Sequence, residues 1–236
     1  MLVNPFQKKE SHTTREITLY KVITVLSWLL AVVASVYYTF KAPQDDKLAR
    51  HTIWKQNKLH HTGFTLNSLI TSIYFIVLFI LQVAYVWHYF SKSAERVTIA
   101  TNVGSHFIAN NLLHFAFVML FVRSHFWWAE FILIINFFNL SSLYFRHPTA
   151  PRFIHLPAIS APLAWTFVAL YWNGAIMVNA EGLAGRILAN IAIWGIMVYG
   201  LFFLVAYKDY TMGYCLSILC ASLGVSQFLR QFIAFQ

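Results

Sequence analysis

The chain has 236 residues, of which 59% are hydrophobic and 11% are charged, and its formal net charge is +9. A water-soluble domain of this length could not cover so much apolar surface with polar groups, so the composition excludes a soluble protein. The 17 Lys and Arg residues are scattered over all the connections between apolar runs. This distribution argues against a nucleic-acid partner and favours a basic rim that touches lipid headgroups.

Seven apolar segments are long enough to cross a bilayer as helices, which takes roughly 20 residues. Helices are predicted instead of strands because the runs are uninterrupted and the backbone must hydrogen-bond to itself in lipid. The predicted fold is all-α, a polytopic transmembrane bundle of about seven helices that forms a single integral domain over residues 22–236. The predicted spans are residues 22–40, 63–90, 103–122, 126–145, 154–178, 187–207 and 212–229.

A polar head over residues 1–21 precedes the first span, and a loop over residues 41–62 follows it. A loop of this length usually has a function or is disordered. Later connections are short, so consecutive helices are predicted to be antiparallel neighbours. The apolar text that begins after Arg230 predicts that the protein continues beyond Gln236.

The charged residues do not orient the chain in its membrane. Alternating the connections gives nine Lys or Arg on the amino-terminal side and eight on the other, a difference too small for the positive-inside rule. We expect an integral protein of an intracellular membrane, and the endoplasmic reticulum and the mitochondrion both stay open.

The third span contains a polar stretch of sequence, HFIANNLLH. On a helix His106, Asn110 and His114 form one stripe, because they are spaced i, i+4 and i+8. Asn136 and Asn139 of the next span also share a face. Polar side chains in a span tend to face protein or water, so these groups are predicted to line an intramembrane cavity. Hydrogen bonding from helix to helix, without a cavity, is the alternative.

The fifth span carries Pro157 and Pro162, which free backbone carbonyls and predict a kinked or loosened start. One face of this helix is predicted to form the wall of a site for a flat, largely apolar ligand, although core packing would produce the same stripe. The residues on that face are Trp165, Ala169, Trp172, Asn173 and Ile176.

The motifs of enzymes are absent from the sequence. There is no G-x-S-x-G motif and no Gly-rich phosphate loop. His60 and His61 are the only adjacent histidines, and His106 and His114 lie two turns apart, too far to chelate one ion by themselves. Cys215 and Cys220 point to different faces and are predicted to be free packing residues. We therefore expect no enzymatic activity, no metal and no cofactor.

The spacing Trp165-x-x-x-Ala169-x-x-x-Asn173, after an upstream proline, resembles the fifth helix of the TspO or translocator-protein family. FTLNSLITSIYFIVLFILQVAYV and FIANNLLHFAFVMLFVRSHF resemble its second and third helices, but the Trp-rich start of the second helix is replaced here by Asn67 and Ser68. The resemblance implies a five-helix core with extra carboxy-terminal helices and a first loop that closes over a cavity for sterols or tetrapyrroles.

Nearly the whole chain also resembles a fungal family of multi-pass membrane proteins with no assigned function. The resemblance is carried by stretches such as YYTFKAP, TIWKQN, GSHFIANNLL, INFFNLSSLYFRH and PLAWTFVALYWNGA. It implies a family and no activity.

Two functions follow as expectations. The first is binding, sensing or transport of a small hydrophobic, sterol- or tetrapyrrole-like ligand, with Trp165, Ala169, Trp172 and Asn173 on one wall of the cavity. The residues expected to face that wall are His106, Asn110, His114, Asn136 and Asn139.

The second is a non-catalytic structural or assembly subunit of a larger membrane complex. Small residues four apart on the last helix, residues 212–229, would allow a second copy or another protein to approach closely. Membrane lipid is an expected partner in either case.

Overall fold

Helices joined by short loops make up the described part of the chain, which in this computed structural model is residues 6–45, 50–147 and 150–230, and no strand occurs in these ranges. A 3₁₀ turn, His88–Phe90, follows α3, and a π-helical segment, Leu156–Ser160, joins α6 to α7. The α-helices are α1 (Thr14–Phe40), α2 (Ile53–Leu59), α3 (Ser68–Trp87), α4 (Ala94–Phe121), α5 (Phe126–Arg146), α6 (Arg152–His155), α7 (Ala161–Met177), α8 (Leu183–Ala206) and α9 (Tyr210–Leu229).

Seven helical segments within these ranges are long and apolar enough to cross a membrane, which confirms the predicted helical bundle and an integral membrane protein. They are α1, α3 with its 3₁₀ turn, α4, α5, the segment Arg152–Met177, α8 and α9. Because the spans alternate in direction, α2 and the loops after α4 and α7 lie at one end of the bundle, called here the α2 end. The amino-terminal head and the loops after α3, α5 and α8 lie at the other end, the head end.

Two helices begin well before the predicted spans. Residues 14–21 of the predicted polar head form the first turns of α1, where Thr13 and Glu16 make a capping box: Glu16 accepts from the Thr13 N–H at 2.9 Å. Similarly, α4 begins at Ala94 and not at residue 103. Hydropathy detects only the part of a helix that suits hydrocarbon, so these polar first turns were missed.

The fifth span is the centre of the bundle. In its most apolar window 72% of the residues are buried, compared with 22% for the first and sixth spans. It packs against α5 and α9, and α9 in turn packs against α3 and α8. The Trp165 and Trp172 rings, which the sequence placed on one face, are 5% and 1% exposed.

The start of this central span is loosened, as its two prolines predicted. The π-helical segment contains Pro157, and partners from elsewhere satisfy carbonyls that the irregular backbone presents. Gln82 donates to the Pro157 carbonyl at 3.3 Å, and Tyr74 donates to the Ala161 carbonyl at 2.8 Å. Both donors come from α3, which ties this helix to the irregular segment.

The small residues of the last helix, α9, lie in two different environments. Ser222 and Ser226 are buried, and the Ser222 hydroxyl lies 2.8 Å from that of Thr71 on α3. The other stripe stays on the surface of this chain: Ser217, Ala221 and Gly224 are exposed. Both cysteines of α9 are free, as predicted.

The amino-terminal head is held on the head end of the bundle. Lys9 and Asn102 exchange two hydrogen bonds of 2.9 Å, and the His12 ring nitrogen Nε2 lies 2.9 Å from the same amide oxygen. The Phe6 ring packs on that of His106, with 4.7 Å between centroids. His147, at the end of α5, is 5% exposed.

We expect His147 to make stability depend on pH. Burial, and then the nearby charges of Lys8, His106 and Arg146, lower the pKa of His147 to about 4. An unfolded chain binds this proton near pH 6.5, so between about pH 6.5 and 4 the unfolded state binds more protons and stability falls as the pH falls.

The measurement is the melting temperature of the purified protein across this pH interval. His147→Gln should flatten the decline, whereas His125→Gln, at an exposed histidine, should leave it unchanged. Equal slopes for His147→Gln and the unmodified protein would show that His147 does not carry the effect.

Candidate functional site

An apolar cavity of about 620 Å³ lies in the α2 half of the bundle, among α1, α3, α4 and α7 and beneath α2. We call it the lateral cavity. Among the described residues that line it there is no Lys, Arg, Asp or Glu. Its lining consists of Ser35, Val36, Thr39, Phe40, Ile53, Trp54, Ser68, Leu69, Ser72, Phe75, Ile76, Phe79, His114, Phe117, Val118, Phe121, Trp165 and Trp172.

Aromatic rings from three helices shape the inner wall. The Phe75 ring of α3 meets Trp165 edge-on, with 4.6 Å between centroids, and it lies 5.6 Å from the ring of His114. Phe121 of α4 packs against Trp172 at 4.4 Å. Pairs of this kind prefer tilted or edge-to-face geometry and hold one another in place, so the wall is preformed.

Two indole N–H groups of the lining are buried without an acceptor among the described residues, those of Trp54 and Trp165. The indole of Trp172 differs, because it donates to the Asn57 side-chain oxygen at 2.9 Å. A buried donor left unpaired costs about 1–3 kcal/mol.

The loop helix α2 roofs the cavity and is fixed at several points. Asn57 acts as a clamp: its amide donates to the Leu66 carbonyl at 2.8 Å and its oxygen accepts from the Leu66 N–H at 3.1 Å. Gln56 donates to the Phe121 carbonyl at 3.1 Å, and the His51 N–H donates to the Val122 carbonyl at 3.1 Å. Residues 50–62 of the predicted loop therefore cover the cavity at the α2 end, while residues 46–49 lie outside the described part.

The structure brings three of the nine predicted site residues to the lateral cavity: His114, Trp165 and Trp172. His114 Nε2 lies 3.0 Å from the Ser35 hydroxyl, which joins α4 to α1 in the cavity wall. The remaining six do not line it, so the expectation of one chamber shared by all of these groups needs correction.

Four of those six make hydrogen bonds between α4 and α5. Asn136 donates to Asn110 at 3.0 Å, while Asn139 pairs with His106 at 2.8 Å nearer the head end. Residues 106 and 114 are separated by about 12 Å along the helix axis, so one stripe meets different neighbours at different depths. This is the helix-to-helix hydrogen bonding that the sequence left open as the alternative.

The last two, Ala169 and Asn173, lie behind the cavity wall on α7. Ala169 is fully buried in packing, and Asn173 donates to Glu130 at 2.8 Å and to the Phe126 carbonyl at 2.9 Å on α5. Glu130, in the second turn of α5, is thus a partner of Asn173.

A second, polar pocket of about 410 Å³ lies at the head end, and sequence reasoning missed it. At its floor Asp209 caps α9 by accepting from the Thr211 and Met212 N–H groups at 2.9 and 3.0 Å. Its other oxygen accepts from Tyr144, His155 and Ser160 at 3.1, 3.1 and 2.8 Å. An Asp before a helix start was the available signal, but its partners lie about 50 to 65 residues away in sequence.

The electrostatics of this pocket are dominated by Asp209. Burial alone would raise the pKa of its carboxyl, but the hydrogen bonds from His155, Thr211, Met212 and Ser160 together hold that pKa well below its usual range. Asp209 stays ionised, with both oxygens engaged in the fold. Within the described ranges no three His, Cys, Asp or Glu side chains are grouped so that they could hold a metal ion.

Comparison with known proteins connects the carboxy-terminal part of the chain to one family. Residues 186–236 match the family described as "Fungal protein of unknown function (DUF1774)". The match supports the resemblance to a fungal family, and no comparison links the chain to the TspO family. No curated protein and no solved structure matches the chain.

Proposed function

We propose that this membrane protein binds a small hydrophobic ligand, of sterol- or tetrapyrrole-like size and shape, in the lateral cavity. The observation that carries the proposal is the cavity itself, whose volume of about 620 Å³ falls within the range of about 300–1,000 Å³ typical of ligand sites. Binding of this kind suits a sensor or a transporter and requires no chemistry.

The shape of the lining supports an apolar ring system. Trp165 and Phe75 meet edge to face at the inner wall, with 75° between their ring planes, which leaves ring faces and edges for a flat molecule to contact. His114 is held by Ser35, so its orientation is fixed before a ligand arrives. A preformed site loses little conformational freedom on binding, which favours affinity.

Replacing Trp165 by alanine is expected to weaken binding of dehydroergosterol or protoporphyrin IX by tenfold or more. Trp165 is 5% exposed, so the effect arises from the wall itself: without the indole, the Phe75 ring loses its packing partner and the inner wall is no longer preformed. A loss of about 1.4 kcal/mol in binding free energy corresponds to a factor of ten. Titration in lipid nanodiscs and mass spectrometry of ligand retained through purification would measure the effect.

The matched control is Trp194→Ala, since Trp194 lies on α8, is 59% exposed and does not line the cavity. Its affinity should equal that of the unmodified protein. Equal affinities for all three proteins, or no binding of either probe, would contradict the proposal.

The second candidate function is that of a structural or assembly subunit, and the exposed stripe of Ser217, Ala221 and Gly224 favours it. A Cβ placed on Gly224 would meet nothing within 4 Å, so the position is open to a neighbouring helix. Blue-native electrophoresis in mild detergent distinguishes the candidates, because a discrete large particle supports the subunit and a monomer supports the ligand-binding protein.

A further inference from the structure

We infer that the ligand of the lateral cavity is an uncharged lipid with one small polar group, a hydroxyl or a carbonyl, which enters from the bilayer between α1 and α3 and places that group at Ser68 and Ser72. The inference rests on the proposed function and specifies its substrate class and route. It combines the position of the cavity mouth, the closed α2 end and two serine hydroxyls without partners.

Exposed apolar side chains frame the mouth of the cavity. Val36 and Phe40 on α1 and Leu69 and Ile76 on α3 line the cavity and are 50%, 77%, 69% and 58% exposed. All four are apolar and belong to membrane-spanning helices. The opening that they frame is therefore accessible to molecules dissolved in the bilayer.

The side-chain hydrogen bond that connects α1 to α3, the two helices that frame the mouth, lies away from the mouth. The Trp28 indole of α1 donates to Gln82 of α3 at 3.1 Å, on the head-end side of the cavity. Within the described ranges no side-chain hydrogen bond links these helices beside the mouth. The gap can thus widen without breaking a polar contact, whereas entry from water would require α2 to leave its anchors on Leu66, Phe121 and Val122.

Two hydroxyls at the mouth differ from the other hydroxyls of the lining. Ser35 and Thr39 of α1 donate to carbonyls of their own helix at 2.8 Å. Ser68 and Ser72, one turn apart at the start of α3, line the cavity and are half-buried. Their side chains make no hydrogen bond within the described part of the chain, and neither has a further contact that would occupy it.

The two free serine hydroxyls and the uncharged lining determine which chemical groups of a ligand are favoured in the cavity. A hydroxyl without a partner next to hydrocarbon is unfavourable, so a ligand hydroxyl or carbonyl that bonds to Ser68 or Ser72 is stabilised there. An ionised group would find no countercharge in the lining and would be excluded. Of the two ligand classes in the proposed function, this selects the sterol-like one and excludes a tetrapyrrole with ionised propionates. The aromatic inner wall at Phe75 and Trp165 then takes the apolar body.

The test uses three probes on one sterol skeleton: cholestanol, its parent hydrocarbon cholestane, and cholestanol sulfate. Each competes with dehydroergosterol bound to the protein in lipid nanodiscs, followed by energy transfer from tryptophan. We expect cholestanol to compete at roughly two- to tenfold lower concentration than cholestane, the ratio given by one net hydrogen bond. The sulfate should not compete.

The variant Ser68→Ala with Ser72→Ala should reduce the advantage of cholestanol to a ratio near one, while cholestane competes as before. Ser217→Ala is the matched control, because that exposed hydroxyl donates to the Gly213 carbonyl on α9 at 2.8 Å, and it should keep the full ratio. If the probes do not bind at all, the proposed function fails. If they bind but cholestane equals cholestanol, the sulfate competes, or the double variant keeps the ratio, the proposed function stands and this inference is wrong.

Discussion

Replacing Asp209 by alanine is expected to lower the free energy of unfolding by about 3 kcal/mol, because a hydrogen bond to a charged acceptor contributes about 1.5–3 kcal/mol and a helix cap about 1 kcal/mol. Asp209 accepts hydrogen bonds from α5, α6, the π-helical segment and the start of α9. Its loss leaves Tyr144, His155 and Ser160 without their acceptor and removes the cap of α9. For a chain of this length the melting temperature should fall by about 6–12 °C.

Asp45 provides the control, since its carboxylate bonds to Arg123 at 2.9 Å but its side chain is 45% exposed. Solvent-exposed pairs of this kind contribute little to stability, so Asp45→Ala should barely change the melting temperature. Similar losses in the two variants would show that the Asp209 cluster does not join the four elements energetically.

The pH dependence separates Asp209 from His147. The pKa of Asp209 is lower in the folded state than in the unfolded chain, where it is about 3.9. Its stabilisation is therefore complete above about pH 5 and is lost only as the pH falls below about 4. The loss of stability in Asp209→Ala should therefore persist at pH 5, where the carboxylate is still ionised, and should diminish only below about pH 4, whereas the stability that depends on neutral His147 already declines below about pH 6.5.

The features of the fold that can be predicted from the sequence are those encoded within a single segment of the chain. Hydropathy and span length identify the seven long apolar helices of the described residues, because each span satisfies its own backbone and must be apolar over about 20 residues. Helical periodicity also identifies the buried face of α7 with Trp165 and Trp172. Both properties are local and can be read from one segment at a time.

The site itself depends on contacts between distant segments, which a local pattern does not contain. His106 and His114 share a stripe, but the first meets Asn139 of α5 and the second meets Ser35 of α1. Similarly, the sequence identified Ser68 only as a departure from the Trp-rich motif of the TspO family. Its position at the cavity mouth depends on the packing of α1 beside α3, which the sequence of α3 does not contain. Periodicity gives the face of a helix but not the neighbour that covers it.

The loop after the first span shows the same limit. Its length predicted a function or disorder, and the first helical turns of α2 carry no apolar periodicity that would reveal a roof. The order of α2 depends in large part on the amide of Asn57, which is 2% exposed. It connects the loop to itself through Leu66 and to the bundle centre through Trp172.

Replacing Asn57 by alanine is therefore expected to destabilise the roof by about 3 kcal/mol, because three buried groups lose their partner: the Leu66 N–H, the Leu66 carbonyl and the Trp172 N–H. Amide hydrogen exchange in residues 50–67 should accelerate by about 100-fold, the factor that corresponds to this energy. The rest of the bundle should exchange as before. Lys55→Ala, on the exposed side of α2, is the matched control and should exchange like the unmodified protein.

This variant also tests whether the roof or the bilayer mouth controls access to the cavity. If ligands enter from lipid between α1 and α3, loosening α2 should increase the rate at which dehydroergosterol dissociates into water while leaving its uptake from nanodisc lipid unchanged. Faster uptake from lipid in Asn57→Ala would assign the entry route to α2 instead of the gap between the helices. Unchanged exchange in residues 50–67 would show that Gln56 and the backbone of His51 hold the roof without the Asn57 clamp.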